Sequence, residues 1–132
     1  MIHEVSKSDF LKEANDYYKL SIGGLRRKNV FTNEILYNTI SMSLEKYIMA
    51  LFVSKNELPL CHTLKTMAKE MKKFVELDDD LIEQMYYFDN IQNLCSLAKY
   101  DKKAISDEDI SNMVIVLDKI KALVLDGITI NA

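Results

Sequence analysis

Turn-forming residues are scarce in this chain: its 132 residues include three glycines and one proline. An all-β sandwich or barrel needs a tight turn every few residues, so the scarcity argues against one. Tryptophan is absent, and the two cysteines, Cys61 and Cys95, lack the spacing of a metal site or of a secreted disulfide framework. The only histidines are His3 and His62. No apolar run approaches the length that spans a bilayer, so no membrane partner is expected. The opening ten residues are mixed and charged and do not read as a secretory leader, which makes a reduced, cytoplasmic setting the default expectation. Glycine-rich phosphate loops, paired metal-ligand motifs and a serine nucleophile elbow are missing as well, so no cofactor and no metal are expected.

What is present is ordinary globular composition, with 48% apolar and 28% charged residues. A chain of this length buries roughly two-thirds of its unfolded surface, enough for a core without staples. No repeat, linker or low-complexity stretch divides it, and residues 1–132 read as one domain. The net charge of −3 argues against a broad grip on nucleic acid, while leaving room for a local basic patch.

Apolar residues recur at helical spacing throughout, which predicts an all-α, up-and-down antiparallel bundle of four to five helices. The first helix begins at a Ser6 or Ser8 cap, carries Leu11, Ala14, Tyr18 and Leu25 on one stripe, and is read to Lys28. Arg26, Arg27 and Lys28 then suit the negative end of its dipole. Thr32 caps a second helix reaching Ser54. Two apolar rows run along it, Ile35, Met42, Met49 and Phe52 beside Leu36, Ile40, Leu44, Tyr47 and Leu51. Such apolar girth marks a central helix. Pro59 breaks the chain, Thr63 caps a third helix to Phe74, and the acidic run 78–80 opens a fourth with Leu81, Met85, Phe88 and Cys95 inward. Residues 100–105 read as a connection. Ser106 and Asp109 form a capping box for a last helix that turns Ile110, Met113, Leu117, Ile120 and Val124 inward and stops at Gly127.

Candidate chemistry is thin. Glu45 shares a polar line with Asn38 and Ser41 between the two apolar rows. A half-buried carboxylate there needs hydrogen bonds or a cation, so the line is either a structural network or the floor of a polar cleft. His62 could contact a ligand or move a proton; its plainer reading is a helix-entry residue bonded to a loop carbonyl. Tyr17–Tyr18 and Tyr86–Tyr87 could stack bases, but at helical positions they fit core or interface better.

The order of short motifs resembles the HEPN family, the higher-eukaryote and prokaryote nucleotide-binding domains. The second helix carries Glu45-Lys46-x-x-x-Ala50-Leu51 and is followed by Pro59-x-x-His62-x-Leu64. Ser43 stands where the family has its first Ala. Ala98-Lys99-Tyr100-Asp101 resembles the family's Thr-Arg-Tyr-Pro segment, with Lys99 in the Arg place and Asp101 in the Pro place. The resemblance implies a dimeric helical bundle with a ligand-binding cleft at Glu45, His62, Lys99 and Tyr100. It also implies a choice of functions. Ribonuclease members carry Arg-x(4–6)-His, and no His follows Arg26, Arg27 or Lys99 at that distance. No catalytic residue is therefore assigned. The chain looks more like the non-enzymatic members, which dimerise and bind a nucleotide or a separately encoded nucleotidyltransferase in a toxin–antitoxin-like pair. The alternatives are a degenerate ribonuclease and a purely structural scaffold.

Overall fold

The computed structural model describes residues 6–60, 63–97 and 105–129, with the backbone alone for 92–97. The described residues form five helices and no strand: α1 (Lys7–Leu25), α2 (Asn33–Ser54), α3 (Leu64–Met71), α4 (Asp79–Leu97) and α5 (Asp107–Thr129). The β-branched run Val114, Ile115 and Val116 is helical, within α5.

Side-chain caps set the helix starts. Ser6 accepts from the Asp9 amide while the Asp9 carboxylate accepts from the Ser6 amide, a complete capping box. Thr32 and Thr63 accept from the amides of Ile35 and Thr66. Asp78 Oδ1 accepts from Leu81 N at 2.7 Å. The Ser106–Asp109 box closes with bonds of 3.0 and 3.1 Å. Each cap satisfies amides that no helical carbonyl can reach.

Helix α2 is the axis of the bundle. Leu36, Ile40, Leu44, Tyr47 and Leu51 are each 0% exposed. At about 25 cal/mol per Å2, burying such side chains stabilises the fold by roughly 1.5–3 kcal/mol apiece. Ala14 and Asn15 of α1 meet Ser43 and Tyr47, and Gly24 meets Leu36, so α1 and α2 run antiparallel. Asn33 reaches Ile105 and Asp107 at one end, while Leu51 and Lys55 reach Gly127 at the other. Helices α2 and α5 are therefore parallel and pack directly. Helix α4 leans on α3 and α5, and Tyr37 of α2 donates a hydrogen bond to the Phe88 carbonyl. The four long helices alternate in direction along the chain, with α3 as a short cover.

Four sequence expectations shift. Helix α1 ends at Leu25 rather than Lys28, and Arg26 to Lys28 belong to the connection. A Cβ on Gly24 would lie 2.7 Å from the Phe31 ring, so the bare glycine lets Phe31 fold back over α1. Gly127 does not stop α5, which continues to Thr129; a Cβ there would meet Leu51 at 2.9 Å and Val75 at 3.0 Å. Helix α3 ends at Met71, and Phe74 follows in turns and packs edge-on against Phe52 at 5.3 Å. Of the first α2 row, Phe52 and Met49 are buried, whereas Ile35 is 45% exposed.

A polar seam ties α1, α2 and α5. Tyr18 donates to Asp118 at 2.7 Å, Lys121 Nζ sits 4.0 Å from the centre of the Tyr18 ring, and the Tyr47 hydroxyl donates to Asn15. Burial, reinforced by the charges of Tyr18 and Asp118, pushes the Tyr47 hydroxyl up from 10.0 to about 12. The unfolded chain then releases this proton before the folded chain does, so stability falls as pH rises from about 10 towards 12. We expect a smaller alkaline loss in Tyr47→Phe, read from urea midpoints at pH 9 and 11; parallel losses would contradict the assignment. The two adjacent glycines should respond oppositely. Gly23 has open space around it, so Gly23→Ala should stabilise by about 0.5–1 kcal/mol. Gly24→Ala should destabilise by about 1–3 kcal/mol through the clash with Phe31. Equal melting temperatures would contradict this.

Candidate functional site

The surroundings of α2 differ on each side, and that difference isolates its polar line. Towards α1, Ser43 Oγ donates to the Ala14 carbonyl at 2.9 Å, and Lys46 pairs with Glu13 at 3.2 Å. Towards α5, with which α2 packs, Ile40, Leu44 and Leu51 of α2 and Met113, Leu117 and Ile120 of α5 are all buried in the apolar core. Ser41 and Glu45 lie one turn and two turns after Tyr37, the residue that reaches α4.

Along this line exposure falls after Asn38. Asn38 is exposed, Ser41 is half-buried, and Glu45 is half-buried. The Ser41 hydroxyl is removed from solvent and has no hydrogen-bond partner among the described residues. Thr39 and Ser43, its neighbours in sequence, bond to the carbonyls of Ile35 and Ala14. Ser41 is therefore the exception on a helix whose other buried hydroxyls are satisfied. Glu45 is not without a polar partner.

Of the four residues expected to form a ligand site, Glu45 alone is placed, at the edge of the α2 core. His62, Lys99 and Tyr100 lie outside the described residues, as do Cys61 and His3. The tyrosine pairs divide their tasks: Tyr18 joins the polar seam, and Tyr87 donates to Asp109 at 2.8 Å. That hydrogen bond, with burial and the charges of Asp109 and Glu108, holds the Tyr87 hydroxyl above its usual range. Arg26 and Arg27 are exposed, as expected of a solvated cluster, whereas Lys28 pairs with Asp107 at 3.2 Å. Asn33 and Lys28, both bonded to Asp107, hold its carboxyl below the usual carboxylate range.

A feature unforeseen in the sequence is an open cleft of about 530 Å3 between the start of α5 and the first half of α4. Asp80, Glu83, Glu108 and Asp109 line it, and among the described residues its lining holds no lysine or arginine. Asp80, Glu108 and Asp109 read in sequence as favourable first-turn residues of a helix, and Glu83 as one more exposed acid of α4. Their convergence depends on the antiparallel docking of α4 on α5, which no local pattern encodes. Among the described residues no group of three or more His, Cys, Asp or Glu could hold a metal ion, and no helix is long and apolar enough to cross a membrane.

No protein-family model matches the chain, and no curated protein matches it in sequence. Among solved structures it is similar to the crystal structure of TT1696 from Thermus thermophilus, aligned over 92% of this chain and 97% of that one, with a TM-score of 0.73 and 14% identity. At that identity the likeness concerns the fold alone: the same helical arrangement is built from a largely different sequence.

Proposed function

We propose that this chain is a non-enzymatic, HEPN-like helical module that dimerises and binds a nucleotide or a separately encoded nucleotidyltransferase partner. One observation carries the reading: the buried, unpaired Ser41 hydroxyl on the polar line of α2. A buried hydroxyl without a partner costs about 1–3 kcal/mol and calls for an explanation. A group that enters from outside and bonds to Ser41 supplies one. Serine can donate or accept, while the neighbouring carboxylate of Glu45 can only accept. A nucleobase edge bearing an amino group offers the matching donor, as does an amide or guanidinium of a partner protein.

Dimerisation belongs to the same proposal. Ile35 is 45% exposed on the outer side of α2, and Met42 and Val53 on that side are half-buried. Apolar side chains left in this state on a central helix suit a second copy. Light scattering should give a mass near twice 15.3 kDa at micromolar concentration. A monomer at every concentration would remove the dimer from the reading.

Ser41→Ala tests the site. Removing an unpaired hydroxyl should leave the free protein equally stable or about 1 kcal/mol more stable, while weakening binding of AMP or ATP measured by calorimetry. Unchanged binding in the variant, or no binding by the parent chain in the presence and absence of magnesium, would count against a nucleotide site. Glu45→Ala should lower stability by about 1–3 kcal/mol, against about 0.5 kcal/mol for the exposed Glu57→Ala. Identical denaturation midpoints would show that Glu45 has no structural part.

Ribonuclease chemistry needs a group that clamps phosphate and a group that moves protons. Lys99 lacks the two-pronged grip of a guanidinium. The purified chain should leave single-stranded and structured RNA intact in chelator. Cleavage that follows the protein peak and disappears in His62→Ala would revive the nuclease alternative.

A further inference from the structure

The net charge of −3 hides an uneven distribution. Helix α3 and the turn after it hold four lysines, Lys65, Lys69, Lys72 and Lys73, and all four are exposed. Lys65, Lys69 and Lys72 stand at i, i+4 and i+7, so they form one row along the helix, about 10 Å long at 1.5 Å per residue. The opposite face is buried through Leu64, Met67, Ala68 and Met71, which fixes the row outward.

These three cations have no carboxylate within ion-pair distance among the described residues, whereas Lys73 lies 3.9 Å from Glu57. The one acid within α3, Glu70, is turned inward: it is 9% exposed and accepts from the Leu60 amide at 3.0 Å. At the row's N-terminal end Lys65 Nζ lies over the ring of Tyr86 on α4, 5.5 Å from its centre; Tyr86 is half-buried and packs against the core. The surface thus combines a cation row with a flanking aromatic.

We infer that the Lys65–Lys69–Lys72 row, with Tyr86 at its edge, is a binding surface for the backbone of a single-stranded nucleic acid. A spacing of about 5–6 Å between successive cations is close to the advance per nucleotide of an extended strand. Lysines contact phosphates as point charges without reading sequence, and an aromatic ring beside such a track accepts a base of any kind. A bilayer would need apolar side chains to insert beside the cations, and among the described residues near the row Leu60, at 89% exposure, is the one strongly exposed apolar side chain. This inference stands apart from the polar line of α2 and survives if that site binds nothing.

The probe is a fluorescent 20-nucleotide oligouridylate, followed by anisotropy over a salt series. Three phosphate contacts give a slope of log K on log salt near −2, so raising salt from 30 to 150 mM should weaken binding about 30-fold. Charge reversal of Lys65, Lys69 and Lys72 to Glu should abolish it. The control is the same reversal at Lys7, Lys12 and Lys19, exposed on α1, a helix that does not pack on α3. It changes net charge equally and should leave affinity within threefold at 150 mM salt. Circular dichroism checks folding; should the triple variant unfold, Lys69→Gln alone should flatten the slope by about 0.7. Lack of binding by the parent chain, equal loss in both triple variants, or sedimentation with phosphatidylglycerol vesicles that the oligonucleotide fails to compete would each overturn the inference.

Discussion

The structure depends on covering α2. Twelve of its 22 residues are buried, and the uncovered ones gather on one outer side. A helix with that much apolar girth cannot rest on one neighbour. Helix α1 takes one flank, α5 takes the next, and α3 with α4 closes the third. The parallel packing of α2 on α5 follows from this requirement. Their contact is apolar along its length and is fastened at both ends, by Asn33 to Ile105 and Asp107 and by Lys55 to the Gly127 carbonyl. The same requirement makes two glycines indispensable. Gly24 and Gly127 lie where a side chain would push Phe31, or Leu51 and Val75, away from the helices they cover.

The polar features sort by how they relate to this core. Within the bundle, hydroxyls are satisfied nearly everywhere: Tyr37, Tyr47, Thr39 and Ser43 all have acceptors. This makes the unpaired hydroxyl of Ser41 conspicuous, since the neighbouring turns show that α2 readily supplies partners. At the surface, charge is segregated. Carboxylates gather in the cleft between α4 and α5, and lysines line α3. A chain-wide net charge averages the two away, although at physiological salt each acts only over about 8 Å.

Legibility followed the range of the interactions. Caps at Ser6, Thr32, Thr63 and Ser106 were readable because a cap joins residues three apart. The inward row of α5 and the part of the α4 row formed by Leu81, Met85 and Phe88 were readable because one face of a helix repeats every 3.6 residues, while the side chain of Cys95 lies outside the described residues. The end of α1 and the passage of α5 through Gly127 were misread. Both hinge on contacts with Phe31, Leu51 and Val75 that lie elsewhere in the chain. Periodicity likewise marked Ile35 and Met42 as apolar without showing that α1 and α3 leave them partly uncovered. The line of Asn38, Ser41 and Glu45 was visible in sequence, but which of the three would lose its partner was not. The acidic cleft was hidden because most of its acids explain themselves locally as helix starts, and His62, Lys99 and Tyr100 fall outside the described residues.

Entry of an external group at Ser41, on the polar line of α2, is the event on which the functional reading turns. The most direct measurement of it is a titration of the isotopically labelled protein with AMP, followed by amide chemical shifts. Binding at Ser41 predicts saturable shifts concentrated at Ser41, Met42 and Glu45 and across the adjoining turns of α2. Shifts confined to the α4–α5 cleft, or no shifts at millimolar AMP, would contradict it.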